Sequence, residues 1–449
     1  MKRLVISMDK SKSVPTSRFS RLSKFGLLAS KVAGNVLIDS AKSVAKGEKL
    51  DKQSLILSPR NIENLAEQLA QLRGAAMKLG QLLSMDSGEV LPPELSKLLA
   101  RLRSEGHAMP HKQLVGVLKS HWGDNWLDKF SHIELKPFAA ASIGQVHKAT
   151  LENGQKLAVK VQYPGIAKSI ESDVDNLASL LKMSGLLPKH IDINPLITEA
   201  KQQLLDESDY QLEARHLKRY RENFASFEQF KIPKVISEQT TEHILSMEFV
   251  EGIDLDACVS LPQVQRDALA SNLIYLFFFE LLKFNTVQTD PNFGNYLYQP
   301  DTGKIVLLDF GATRELTQSV CNGYFALFSG AMSENRNLVA SAAEQIGYFN
   351  SEIDLQYKHK VVDIFMLACE PLRQNKAYDF AASPLAKQIR DKGLEMSTDK
   401  SKWHSPPIDA LFIHRKLAGL YLIAAKLNAK VNVQQLYKSF LKQAKLAQK

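Results

Sequence analysis

The sequence predicts an α+β protein of two lobes, and three observations carry that expectation. Its 449 residues exceed the length at which one hydrophobic core normally stops growing. Apolar spacing is helical before about residue 130, strand-like from about Phe138 to Lys160, and mostly helical again in the second half, an order that suits a small sheet set between helical modules. Apolar residues make up 45% and charged residues 23%, with no low-complexity tract and no internal repeat, as in globular proteins.

Taken in order, residues 1–60 form a basic arm in which Phe25, Leu27, Leu28, Val32 and Val36 share one face of an amphipathic helix. Residues 61–130 read as a helical module: Ile62, Leu65, Leu69 and Leu72 recur at helical spacing, Met85-Asp86-Ser87-Gly88 breaks the pattern, Pro92-Pro93 restarts it, and a further helix starts near His111. A first lobe spans 131–252. In it Val146, Lys148 and Thr150 precede Asn153-Gly154, a two-residue hairpin signal, and Lys156, Ala158 and Lys160 alternate after it. Helices occupy about 165–225, and short strands surround Ile232 to Ile236 and His243 to Val250. The second lobe, 253–449, opens with an apolar helix ending near Phe284. A second hairpin flanks Asp301-Thr302-Gly303, and everything after Leu316 reads as helix.

Charge is unevenly spread: up to Lys52 there are twelve lysines and arginines against four acids, while the rest of the chain is nearly neutral. Such an arm suits an anionic membrane surface or an acidic protein face, or is a solvated tail, and no groove-reading nucleic-acid motif accompanies it. The stretch Leu273 to Phe284 carries Glu280 and Lys283 and falls short of the roughly 20 residues that span a bilayer. No secretory signal core precedes it. Cys258, Cys321 and Cys369 stand far apart without a metal or disulfide pattern. A cytoplasmic protein, peripheral at the inner membrane and without a transmembrane segment, is expected.

Five short segments carry chemistry. Ala139-Ala140-Ala141-Ser142-Ile143-Gly144-Gln145-Val146 has the spacing of a kinase phosphate loop with alanine in the first two glycine positions, although an alanine-rich turn also serves simple packing. Leu157-Ala158-Val159-Lys160 follows across the hairpin and matches the strand whose lysine contacts nucleotide phosphates. Such a lysine needs a carboxylate, and the predicted helix Leu205 to Glu213 offers Glu213; an acidic surface helix is the competing account, since Asp209 and Glu213 lie four apart on one face. Met247 to Gly252 fits an inter-lobe hinge in which Glu248 and Val250 would meet adenine. Asp290-Pro291-Asn292-Phe293-Gly294-Asn295, followed by Asp309-Phe310-Gly311, places an Asp, an Asn five residues on and a D-F-G Asp in kinase order; Asn295 and Asp309 would supply oxygen ligands to Mg²⁺.

With these segments the sequence resembles the UbiB/ADCK family of atypical kinase-like proteins associated with ubiquinone biosynthesis, over nearly its whole length. Lys78-Leu79-Gly80-Gln81 matches that family's K-x-G-Q motif, Ala139 to Val146 its Ala-rich loop, and Glu207-Ser208-Asp209 its E-x-D; Val14 to Arg18 and His414-Arg415-Lys416-Leu417 also look like family segments. The resemblance implies a bilobal protein-kinase-like fold with an N-terminal helical K-x-G-Q module and a helical C-terminal extension. It implies that Lys78 and Gln81 face Glu207, Asp209 and the phosphates and gate the cleft. Asn292 stands where protein kinases commonly carry lysine, and no A-P-E segment follows Asp309.

The expected function is a Mg²⁺-dependent ATPase or small-molecule kinase acting near a membrane surface in prenyl-lipid metabolism. ATP or ADP and Mg²⁺ are its expected cofactors, and prenyl lipid and lipid-biosynthesis enzymes its expected partners, with no nucleic acid. Lys160 would orient phosphates, Glu213 would hold Lys160, and Asp290 would act as base or water-orienting residue. The rival is a catalytically silent nucleotide-binding scaffold that regulates lipid-biosynthesis enzymes.

Overall fold

A computed structural model describes residues 108–141, 143–184, 194–349, 353–398 and 406–446. The expected basic arm, the K-x-G-Q helices and Ser142 lie outside them. The described residues form two compact units: one holds 108–215 and 234–249, the other 216–233 and 250–446.

The first unit is a five-stranded antiparallel sheet and four helices, the last of which runs past its boundary. Helix α1 (His111–Trp122) buries Leu114, Val117, Leu118 and Trp122, one face at helical spacing, and stops at Gly123, whose φ of 85° suits a residue without a Cβ. That face shares one apolar core with Trp126, with Phe130 of β1 (Phe130–Ile133), and with Leu157, Val159 and Val161 of β4 (Lys156–Gln162). Strand β2 (Ala139–Ala140) pairs with β3 (Gly144–Leu151), and β3 pairs with β4 so that Val146 lies opposite Lys160. The turn sets this register. It is a three-residue loop and not the two-residue turn that Asn153-Gly154 suggests: Leu151 donates to Gln155 O, and Gly154, at φ 83°, takes the left-handed position of the longer loop.

Because β4 alternates, Leu157, Val159 and Val161 enter the α1 core while Lys160 and Gln162 share the other face, where both are nonetheless buried. Helices α2 (Ile166–Ser184), α3 (Asn194–Ser208) and α4 (Tyr210–Asn223) follow, and β5 (Phe230–Lys231) belongs to the second unit. Strand β6 (Ile244–Glu248) returns to pair with β4.

In the second unit β7 (Ile253–Asp254) precedes α5 (Gln263–Leu282), which buries Leu269, Leu273, Phe277, Phe278 and Phe279 as expected of an apolar core helix. Strands β8 (Thr286–Gln288), β9 (Tyr296–Gln299), β10 (Lys304–Leu307) and β11 (Thr313–Glu315) frame the two acidic loops. The order β5-β10-β9-β7 makes one sheet, in which β5 runs parallel to β10, and β8 pairs with β11. Gly303, at φ 69°, closes the predicted β9–β10 hairpin. Helices α6 (Gln318–Met332), α7 (Arg336–Ile346), α8 (Leu355–Ala368) and α9 (Glu370–Arg373) precede β12 (Tyr378–Asp379); α10 (Leu385–Thr398), α11 (Ile408–Lys426), β13 (Lys430–Val431) and α12 (Val433–Leu446) complete the described chain. The all-helical expectation after Leu316 misses the β12–β13 pair. Two residues per strand are too few to register as a period, and their partners are some fifty residues apart. Among the described residues no helix is long and apolar enough to cross a membrane.

Behind the Ala-rich segment runs a chain of hydrogen bonds: Met109 N–H donates to Gln145 Oε1, Gln145 Nε2 to His147 Nε2, and His147 Nδ1–H to Glu134 O. His147 is 1% exposed, and burial lowers its pKa to about 4. A proton on Nε2 would confront the Gln145 amide, a second donor. The folded state therefore refuses a proton that the unfolded chain accepts near pH 6.5. Its contribution to stability is complete above that pH and is lost as pH falls through 4, by about 3 kcal/mol at the limit. Urea unfolding of wild type and His147→Gln from pH 7 to 4.5 should give a steeper loss for wild type; parallel curves would remove His147 from the acid response.

Candidate active site

In the first unit the site grows from a corner between two helices. The expected single helix through Leu205 to Glu213 is broken: α3 ends at Ser208, whose carbonyl accepts from the buried Gln162 Nε2 at 2.8 Å, and α4 starts afresh. Asp209 stands at the break, its Oδ1 accepting from Gln211 N and Leu212 N. It is a helix cap. A carboxylate that satisfies the free N–H groups of a new helix favours the corner over a continuous helix, which sequence periodicity does not separate from one long run. Asp209 also lies 3.6 Å from Arg215, and Glu207 is half-buried.

The corner puts Glu213 in the first turn of α4, where Lys160 Nζ lies 2.9 Å from each of its carboxylate oxygens. The side chains are 9% and 1% exposed, and the ammonium also sits 5.1 Å from the Tyr210 ring centre. Two sequence-predicted residues separated by 53 positions thus meet as a buried ion pair. Tyr210 also constrains the loop: a Cβ on Gly144 would lie 2.5 Å from Val161 O and 2.7 Å from the Tyr210 hydroxyl, so glycine is required there by close backbone approach. Ala139 and Ala140 are exposed strand residues, Ala141 N donates to Gly144 O, and Ile143 is buried. Val146 is half-buried opposite Lys160. In the segment expected to be a hinge, Glu248 N donates to Lys234 O and Phe249 N to Lys156 O, which occupies both amides; Val250 begins the second unit.

In the second unit Asp290 and Asn295 are held together by a tight turn. Asn295 Nδ2 lies 2.9 Å from Asp290 O and 3.3 Å from its Oδ2, while Asn292 caps the turn by accepting from Gly294 N. With the amide nitrogen engaged by Asp290, the Asn295 oxygen is the atom left to act as a ligand. Asp309 accepts from Gly311 N through Oδ1 at 2.9 Å. Asn295 and Asp309 both line one small cavity of about 10 Å³, and amide and carboxylate oxygens are the donor type that a hard divalent cation takes. Lys78 and Gln81 lie outside the described residues, so their pairing with Glu207 and Asp209 stays an expectation.

Sequence reasoning missed what supports this loop. Glu280 of α5 and Lys416 of α11, both 1% exposed, stand 3.4 Å apart on the same cavity. Lys416 also reaches Tyr296 Oη at 3.1 Å and Gln288 Oε1 at 3.4 Å, and Gln288 Oε1 accepts from Asp290 N. Burial pushes the Glu280 carboxyl up, against Lys416 and the Tyr220 hydroxyl, which pull it down. Burial alone would lower Lys416, but Glu280 and Tyr296 outweigh it and raise its pKa. Arg415 adds an ion pair with Asp290, Nη2 to Oδ1 at 2.5 Å. The signal was a charged residue inside an apolar helix, Glu280, and a segment noted only for its family likeness.

A small antiparallel sheet carrying a buried lysine–glutamate pair, and a helical unit presenting an Asp/Asn turn beside a D-F-G aspartate, define a protein of the atypical kinase-like class. The ABC1 atypical kinase-like domain matches residues 101–343, and the chain belongs to that family, the UbiB/ADCK family its motifs resemble. Atypical kinase COQ8, mitochondrial, of Saccharomyces cerevisiae is 37% identical over 96% of this chain and 86% of its own length. Atypical kinase COQ8B, mitochondrial, of Rattus norvegicus is 35% identical over 96% of this chain and 81% of its own. Atypical kinase coq-8, mitochondrial, of Caenorhabditis elegans is 37% identical over 95% of this chain, which spans only 57% of that relative. Among solved structures, Rv3197 of Mycobacterium tuberculosis, determined with erythromycin, shares the fold at a TM-score of 0.58 and 23% identity, over 86% of this chain and 97% of its own.

The ion pair of the first unit has a measurable signature. Lys160→Met takes the ammonium away from the buried Glu213 carboxylate, at a cost of roughly 3–5 kcal/mol, whereas Lys160→Met with Glu213→Leu removes both charges and recovers most of that loss. Chemical denaturation of the two variants should show this non-additivity. Equal destabilisation of both would mean that the charges are not interdependent.

Proposed function

We propose that this chain binds a Mg²⁺-nucleotide, ATP or ADP, and uses ATP as an atypical kinase or ATPase in ubiquinone or related prenyl-lipid metabolism at a membrane surface. The observation that carries the reading is the Asp290–Asn295 turn, whose geometry engages the amide nitrogen and leaves the Asn295 oxygen to act as a ligand, on a cavity that Asp309 also lines. Membership of the atypical kinase-like family supports it, and the basic arm before Lys52 supports an anionic surface as partner.

Asn295 and Asp309 would hold Mg²⁺, which when bound neutralises charge on the phosphate oxygens. Lys160, held by Glu213, would orient those phosphates; backbone near Glu248 and Val250 would meet the base, and the Ala-rich loop would cover the phosphates. Asp290 would orient a water or hydroxyl so that its oxygen forms the new bond to the terminal phosphorus. The bond to the bridging oxygen breaks, ADP leaves with the electron pair, and the nucleophile's proton passes to Asp290. Asp309→Asn removes the one anionic ligand of the pair and should abolish the Mg²⁺-dependent part of nucleotide affinity in titration calorimetry. Unchanged Mg²⁺-ATP affinity would overturn the metal assignment. Phosphate release by the full chain, measured with and without vesicles of anionic lipid, separates an enzyme from a silent scaffold, which would bind nucleotide and release none.

Lys78, Gln81, Glu207 and Asp209 belong to the same reading as gating residues. A lysine on a capping segment that neutralises two nearby carboxylates would restrict access to the phosphates. Lys78→Ala should therefore raise phosphate release or autophosphorylation, and rates equal to wild type would remove Lys78 from the gating role.

A further inference from the structure

Helix α11 meets the Asp290 loop at three successive points. Arg415 Nη2 pairs with Asp290 Oδ1, the side chains being 13% and 24% exposed. One turn on, a Cβ on Gly419 would stand 2.1 Å from Pro291 Cγ and 2.6 Å from Pro291 Cβ, so the helix backbone lies directly against the loop. Between them Lys416 turns inward to Glu280 and Gln288, and Gln288 in turn accepts from Asp290 N. The guanidinium therefore does not sit on a freely swinging arm. It is delivered by a helix that is itself pinned.

Asp290 then has one donor on each carboxylate oxygen: Arg415 on Oδ1 and Asn295 Nδ2 on Oδ2. An ionised carboxylate has about four lone-pair positions, so two fixed donors set the plane and still leave positions for a nucleophile. Without Arg415, among the described residues only the longer contact to Asn295 would restrain rotation of the carboxylate. We propose that Arg415 is a positioning residue for the reaction assigned above, acting through Asp290 by fixing the direction of its carboxylate. The inference rests on that assignment.

A misdirected base affects turnover and leaves ground-state binding in place, and small displacements of a reacting group can cost about 100-fold. Arg415→Ala should lower kcat for phosphate release about 10- to 100-fold and change KM for Mg²⁺-ATP by less than about 3-fold. Arg415→Lys keeps the charge but not the planar fork and should recover only part of kcat. In an Asp290→Asn background, Arg415→Ala should have no further effect, because its route to the reaction is already gone. A thermal melt of each variant checks folding; if the alanine variant does not fold, the lysine variant carries the same comparison in both backgrounds. A purely structural role would lower melting temperature, affinity and turnover together and add to Asp290→Asn. Wild-type kcat in the Arg415 variants, or full additivity with Asp290→Asn, overturns the inference alone. Absence of turnover in the wild type overturns the assigned reaction and this inference with it.

Discussion

Glu280 and Lys416, each 1% exposed and 3.4 Å apart, are the constraint on which the second unit's chemistry depends. Neither charge tolerates the interior without the other, so the pair forces α5 and α11 into a fixed relation. The consequence spreads through shared acceptors. Gln288 accepts from Lys416 and from Asp290 N, Tyr296 accepts from Lys416, and Tyr220 donates to Glu280. Two of these residues, Gln288 on β8 and Tyr296 on β9, lie on the strands that enter and leave the Asp290 loop. A hydrophobic pair would pack as well, but it would offer nothing to bind the backbone of that loop. The polar core thus determines where the loop starts, and the apolar helix around Phe277 to Phe279 determines that it cannot drift.

The first unit solves a parallel problem with one ion pair. Lys160 lies on the face of β4 away from the apolar core, and Glu213 reaches it only because the chain turns at Asp209. Gln162, two residues along the same face, holds the end of α3 through Ser208 O. Strand alternation thus supplies both the buried lysine and the side chain that places its partner. Helix propensity alone would run α3 straight on; capping by Asp209 and the Gln162 bond decide against it.

What was legible in the sequence follows from the range of the interactions involved. Hairpins announce themselves over a dozen residues, so β3, β4, β9 and β10 and the motifs on them were readable, as were the apolar helix around Phe277 and the kinase order of Asp290, Asn295 and Asp309. The length of the first hairpin loop was not, because Asn-Gly serves turns of two and three residues and only the closing bonds distinguish them. The break at Asp209 was hidden because an acidic residue reads equally as a helix surface and as a cap. Arg415, Lys416 and Glu280 were beyond local reasoning: each meets its partner across more than a hundred residues of chain. A glutamate in the middle of an apolar helix was the available clue, since such a charge demands a cation from elsewhere.

The Ala-rich segment shows what this fold exchanges for order. Ala139 and Ala140 are paired in a strand, Phe138 N donates to Val146 O and Ala141 N to Gly144 O, so much of the loop is already tied to its own hairpin. Glycine at position 139 would loosen this pairing and add unfolded-state entropy; alanine fits extended backbone without strain. Only Gly144 is dictated by contact, because Val161 O and Tyr210 leave no room for a Cβ. A loop committed to strand pairing has fewer free amides to wrap around phosphates than a glycine-rich one. Recognition of a phosphate by the first unit would then fall more heavily on a side chain, the Lys160 ammonium, which the buried ion pair with Glu213 holds in place.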